Sequence, residues 1–225
     1  MEEILDFLRR LHANNDREWF DAHRAEWTHI KGLWADFTAE LIDGIASFDA
    51  SVRGLRPQDC TYRIARDTRF SPDKRPYKTW IGAFIAPKGK KSGYAGYYFQ
   101  LEPVTDEGSG NNLLASGAVC LEPAVLRSIR EEVVDHGAEM MRSIRAARGF
   151  ALDTTNRLKR LPTGFPADSE FADLLRQKEF CLIRRVPEEF VRAEDLAKRV
   201  VAEFRRTQPF IEQLNRAIQY AFEEM

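Results

Sequence analysis

Apolar residues recur every three or four positions through the first fifty residues. Ile4, Leu5, Leu8 and Leu11 among Glu2, Glu3 and Asp6 predict a short amphipathic helix. Trp19, Phe20, His23, Trp27, Ile30, Trp34, Phe37, Leu41 and Ile45 keep the same spacing and predict one long helix, with Gly32 a point of interruption. Asn15 followed three residues later by Glu18 matches a capping box at its start.

From Asp59 to Cys120 the period changes. Short aromatic and β-branched runs, separated by Gly, Pro, Asp and Lys, predict strands at Thr61 to Arg66, Trp80 to Ala86, Tyr94 to Glu102 and Leu113 to Val119. Their short connections favour antiparallel pairing, because a parallel pair needs a long crossover. In the third run Tyr97, Phe99 and Leu101 fall on one face and Tyr98, Gln100 and Glu102 on the other, so one face is expected to be core and the other polar.

Helical spacing returns with Val125, Leu126, Ile129 and Val133, after Pro123 at a first helical position and with Gly137 as a stop. A second helix runs on through Met141 and Ile144 to near Gly149. Pro162, Gly164 and Pro166 mark Leu161 to Asp168 as a loop, Phe171 to Leu175 is a short helix, and Phe180 to Val186 is a further strand. Leu196, Val200 and Phe204 form one helical stripe and Phe210, Leu214, Ile218 and Phe222 another, with Pro209 at the boundary. The pattern predicts an α+β fold, a mainly antiparallel sheet of about four to five strands packed with N-terminal and C-terminal helices. It reads as a single domain over 1–225, helical in 1–50, sheet-rich in 59–120 and helical in 123–225, with one further strand near 180–186.

Composition narrows the class. Hydrophobic residues make up 44% and charged residues 31%, the balance of a globular chain able to bury a core. No stretch approaches the ~20 apolar residues of a membrane span, and the N-terminus lacks the basic start and apolar run of a secretory signal. Cys60, Cys120 and Cys181 are scattered and odd in number, which argues against a disulfide framework or zinc site and favours a reducing cytoplasm. Cys60 reads as a buried small hydrophobe and Trp19, Trp27 and Trp34 as core. His12, His23, His29 and His136 show no metal-ligand spacing, so no metal is expected. A P-loop, a dinucleotide fingerprint and a nucleophile elbow are all lacking, so no cofactor is expected either.

The 34 Lys and Arg nearly cancel the 35 Asp and Glu, yet the charge is uneven along the chain. Between Tyr62 and Lys91 stand nine basic residues and two acidic ones, a net charge of +7 in a chain of net −1. Guanidinium groups suit bidentate contacts with phosphate or carboxylate, which makes Arg63, Arg66, Arg69, Lys74 and Lys78 candidate anion ligands. Asp67, between Arg66 and Arg69, is expected to organise the arginines, and Tyr62 to pack in the core on the same side of a strand as Arg66. Glu102 has two readings: a salt bridge to Arg63 or Arg66, or an acid or base beside an anion clamp. The whole segment likewise has two, a structural ion-pair network and a ligand site.

Four strings carry a resemblance: NNDREWF at Asn14 to Phe20, YRIARDTRFSPDKRPYKT at Tyr62 to Thr79, GYYFQLEP at Gly96 to Pro103, and LKRLPTGF at Leu158 to Phe165. They resemble the signature blocks of a bacterial and fungal family, domain of unknown function 2461. The resemblance implies a compact α+β domain and brings no activity, cofactor or catalytic residue. The chain departs from it at Asp168, Ser169 and Glu170, where the family often has Asp-His-Pro.

Three functional readings follow. The first is binding of a small anionic ligand, bearing phosphate or carboxylate, with catalysis left open. The second is a macromolecular module in which Lys88 to Lys91 and the arginines meet nucleic-acid phosphates while Tyr94, Tyr97 and Tyr98 stack bases. The third is a protein-interaction or scaffold role without a ligand. The oligomeric state is not legible.

Overall fold

The computed structural model describes residues 1–105, 108, 110–166 and 168–225. Helices α1 (Glu2–Ala13), α2 (Arg17–Ala22) and α3 (Arg24–Ala46) come first, followed by a 3-10 turn at Ala50–Val52 and the short α4 (Pro57–Cys60). Strands β1 (Ile81–Ile85), β2 (Gly96–Leu101) and β3 (Leu113–Ala118) form a meander. Then come α5 (Pro123–Ala146), β4 (Ala151–Leu152), α6 (Ala172–Leu175), β5 (Phe180–Arg185), α7 (Glu188–Val191), α8 (Leu196–Arg205) and α9 (Gln208–Glu224). The sheet has the order β1-β2-β3-β5-β4, and every pair in it is antiparallel.

The alternation in β2 sorts the sheet's two faces. Tyr97, Phe99 and Leu101 are fully buried against helices. Phe99 lies 6.1 Å from the Trp34 ring and 5.6 Å from Phe37, both on α3, while Tyr97 meets Phe204 of α8 at 5.4 Å. The Tyr97 hydroxyl is satisfied in this apolar layer by donating to Asp49 Oδ2 at 3.0 Å. One hydrophobic cluster joins α1, α3, the inner sheet face, α5, α8 and α9.

Several boundaries differ from the sequence pattern. The long N-terminal helix breaks at His23, not at Gly32, which lies inside α3 with open space around its Cα. The cap of α2 is Asp16, whose carboxylate accepts from the Trp19 backbone N–H at 2.8 Å. Asn15 is therefore released from capping and reaches elsewhere. The stop expected at Gly137 falls within one residue of a break: His136 has non-helical φ/ψ, so α5 is two helical segments joined at a kink, and Gly137 beside it gives way to the Phe171 ring, which a Cβ would meet at 2.3 Å.

Residues 61–66 are not a strand. Thr61 makes one bridge to Ala83 on the free edge of β1, and Ala65 makes one to Tyr77. The Arg66 N–H donates to Pro76 O at 2.8 Å and the Lys78 N–H to Ile64 O at 2.9 Å, so the segment folds back on itself as an irregular hairpin. Tyr62, expected in the core, is 41% exposed, and the buried side chain of this stretch is Ile64.

Candidate functional site

The hairpin is held from below by its second leg. Asn15 Nδ2 donates to Tyr77 O at 3.0 Å and its Oδ1 accepts from the Tyr77 N–H at 3.1 Å, a two-point backbone clamp across 62 residues of sequence. The Tyr77 ring stacks on Phe20 of α2 at 4.0 Å. With Tyr77 turned down onto the helices, its neighbour Lys78 turns up, because successive residues of an extended leg alternate.

Above the clamp lies a cleft of about 540 Å³, lined by Arg63, Arg66, Asp67, Asp73, Arg75, Tyr77, Lys78, Thr79, Trp80 and Glu102. The arginines of its far wall are paired. Asp73 accepts from Arg66 at 2.5 Å and from Arg75 at 2.9 Å, and its own loop closes through the Arg75 backbone N–H at 3.0 Å. These arginines hold the Asp73 carboxyl far below the ordinary carboxylate range. Arg66 is also within 3.4 Å of the Ser71 hydroxyl.

Asp67 binds Arg69, at 2.7 and 3.0 Å to the guanidinium, and not Arg66. Those bonds to Arg69 lower the Asp67 pKa first, and the charge of nearby Arg63 lowers it further. The organiser of Arg66 is thus Asp73. Arg69 projects into solvent over Phe70, and Lys74 donates to Thr68 O at 3.0 Å; neither lines the cleft. Of the five candidate anion ligands, the fold brings Arg63, Arg66 and Lys78 together and leaves Arg69 and Lys74 at the hairpin tip.

Arg63 and Lys78 differ from the other cleft cations. Among the described residues, neither cationic group has a hydrogen-bond or ion-pair partner. The Lys78 ammonium instead rests 4.6 Å from the Trp80 ring and 5.6 Å from the Tyr62 ring. Its pKa is lowered by burial first and by the Arg63 charge second. Two positive groups thus share one cleft; Asp67 on its wall feels the Arg63 charge but accepts its hydrogen bonds from Arg69.

Glu102 closes the other side. The expected salt bridge to Arg63 or Arg66 does not form among the described residues; the carboxylate accepts from the Gln100 amide at 3.2 Å. Burial raises its pKa, opposed by the hydrogen bonds of Gln100 and Thr79 and by the charge of His12. Its acidic neighbours in the sequence, Asp106 and Glu107, lie outside the described residues.

The lysines of the 88–91 loop serve other places. Lys88 lies over the Tyr94 ring in a separate depression with Asp49 and Glu212, and Lys90 donates to Gln58 O at 2.7 Å. Tyr97 is fully buried and Tyr94 packs edge-on to Phe222, so the expected row of three stacking tyrosines does not exist. Cys60 is buried, its thiol pushed up to about 11 chiefly by desolvation, which makes it a poor nucleophile. The sequence reading missed Asp73 as organiser and Trp80 as a wall; the only sequence signal for them was their place in the long motif around the basic run.

Fold and cleft together define an α+β protein with a cationic hairpin packed along the free edge of an open antiparallel sheet. The chain belongs to the family described as conserved hypothetical protein (DUF2461), whose model matches residues 3–212. No curated protein and no solved structure matches the chain.

Proposed function

We propose that the protein binds a small ligand bearing a phosphate or carboxylate, seated between Arg63 and Lys78, with Arg66 framing the wall. The observation that carries this reading is a pair of cations that make no hydrogen bond or ion pair among the described residues, inside a cleft whose other arginines are paired. The exposed Arg63 and the half-buried Lys78 repel, and an anion between them removes that cost while gaining charge-assisted hydrogen bonds. Arg63 offers a planar fork and Lys78 a point charge, a combination suited to an oxyanion. Glu102, with its raised pKa, supplies a proton-exchanging group on the same cleft, which suits an enzyme as well as a binding protein. The free cysteines fit a cytoplasmic setting, and no described helix is long and apolar enough to cross a membrane.

A pH titration tests the reading. An ionised Glu102 repels the anion, so affinity falls as pH rises through its pKa, which lies above the ordinary 4.5. It falls again as Lys78 loses its proton, at a pH below the ordinary 10.5. Sulfate, whose charge is constant over this range, is the suitable probe. Calorimetric titration is expected to show both declines; an affinity unchanged from neutral pH to pH 10 would remove Lys78 from the site.

A further inference from the structure

We propose that the ligand anchored at Arg63 and Lys78 carries an aromatic body, and that this body lies on the open face of the sheet. The proposal rests on the anion site just described and adds the class of molecule attached to the anion.

The face of the sheet turned away from α3, α8 and α9 carries a row of register partners, Phe84, Tyr98, Ala115 and Ile183, one from each of β1, β2, β3 and β5. A solvated face of an antiparallel sheet is normally polar, and an apolar one is normally covered. Here the row is apolar, and with Tyr62 and Trp80 it borders a groove of about 640 Å³. That is the size of an ordinary small-molecule site, ~300–1,000 Å³.

Three features choose the occupant. Lys78 and Trp80 stand in the walls of both this groove and the anion cleft, so the two spaces adjoin at the Lys78 ammonium. The groove is lined by two lysines, Lys78 and Lys90, and among the described residues by no carboxylate, which suits an anionic molecule and disfavours a cationic one. The rings of Tyr62, Trp80, Phe84 and Tyr98 do not stack on one another among the described residues, so they leave ring surface for an inserted aromatic group. A rigid ring also loses less conformational freedom on binding than a flexible chain of equal area.

The test compares methyl phosphate with phenyl phosphate by calorimetric titration of the full chain. Phenyl phosphate is expected to bind at least about tenfold tighter, from the apolar area it buries. Ala115→Phe, which fills the groove floor, should erase that preference and leave methyl phosphate affinity unchanged. Phe84→Ala, a milder change, should reduce the preference several-fold, and unaltered methyl phosphate binding in either variant shows that the fold is intact. Equal binding of the two phosphates by the native chain would overturn the aromatic-body proposal and leave the anion site standing. Binding of neither would overturn the anion site itself and this proposal with it. A preference for phenyl phosphate that survives both substitutions would place the ring elsewhere, and a dimer that Phe84→Asp dissociates would mean that a second copy covers the face; either result overturns the proposal.

Discussion

Lys78→Met is expected to weaken phosphate binding roughly 30- to 100-fold, the equivalent of about 2–3 kcal/mol for a lost charge-assisted contact. Stability should barely change. Methionine keeps an unbranched stem of similar length against Tyr62 and Trp80, so little packing is lost. The ammonium brings the native fold little net advantage, because its pKa lies below the ordinary value: the fold disfavours the charged form, through burial and through Arg63. The ring contacts offset part of that cost, at ~0.5–1 kcal/mol for an exposed cation–π pair. Lys74→Met, at the hairpin tip and outside the cleft, serves as control and should leave binding unchanged. Parallel phosphate titrations and scanning calorimetry check both. Equal losses in the two variants would mean that diffuse charge, not a defined site, attracts the anion.

Gly117→Ala should destabilise the chain by at least ~3 kcal/mol, as forced overpacking at a strained backbone position does. Gly117 lies in β3 between Gly96 of β2 and Cys181 of β5 and has a φ of +149°. A Cβ there would stand 1.9 Å from the Phe180 carbonyl oxygen and 2.7 Å from the Cys181 Cα. Both obstacles are backbone, so no side-chain rotation relieves the contact; β3 and β5 must part, and their hydrogen bonds stretch. The melting temperature is expected to fall by about 10 °C, at ~2–4 °C per kcal/mol for a chain of this size. Urea unfolding measures the loss, and an alanine variant as stable as the native chain would mean that β3 and β5 pair differently from the register described here.

Elements that bury one face were legible from the sequence. The stripe from Trp27 to Ile45 became α3, and Tyr97, Phe99 and Leu101 became the buried face of β2. Periodicity reports burial, and these residues are buried as a row. The other face, expected to be polar, instead carries the apolar row of Phe84, Tyr98, Ala115 and Ile183, and Gln100 on it is buried. The hairpin at 61–79 was misread because its order comes from contacts remote in sequence. Asn15 grips the Tyr77 backbone from another element, and a lone Asn before a helix gives the same local signal whether it caps that helix or leaves it. The choice between Asp67 and Asp73 as partner of Arg66 depended on how the loop between them turns, which spacing alone does not fix.

The resemblance blocks had more spatial meaning than their separation suggested. NNDREWF contributes Asn15 and Phe20, both of which hold Tyr77 of the long central block, and GYYFQLEP contributes Tyr98 to the groove and Glu102 to the cleft. Three of the four blocks therefore meet around one place. LKRLPTGF does not: none of its residues lines either space, and its Leu158 N–H donates to Arg176 O at 2.7 Å. The basic run was visible as charge, but which cations lacked partners was decided by three-dimensional pairing. Asp73 pairs with Arg66 and Arg75 and Asp67 with Arg69, while Arg63 and Lys78 make no ion pair among the described residues.

The claim that an anion belongs between Arg63 and Lys78 is tested most directly by the Lys78 pKa itself, measured by pH-dependent amine labelling with and without saturating phosphate. Without phosphate, Lys78 should titrate below the ordinary lysine value of 10.5, and with phosphate its pKa should rise, because the anion offsets both the Arg63 repulsion and the cost of burial. A Lys78 pKa that phosphate leaves unmoved would contradict the account.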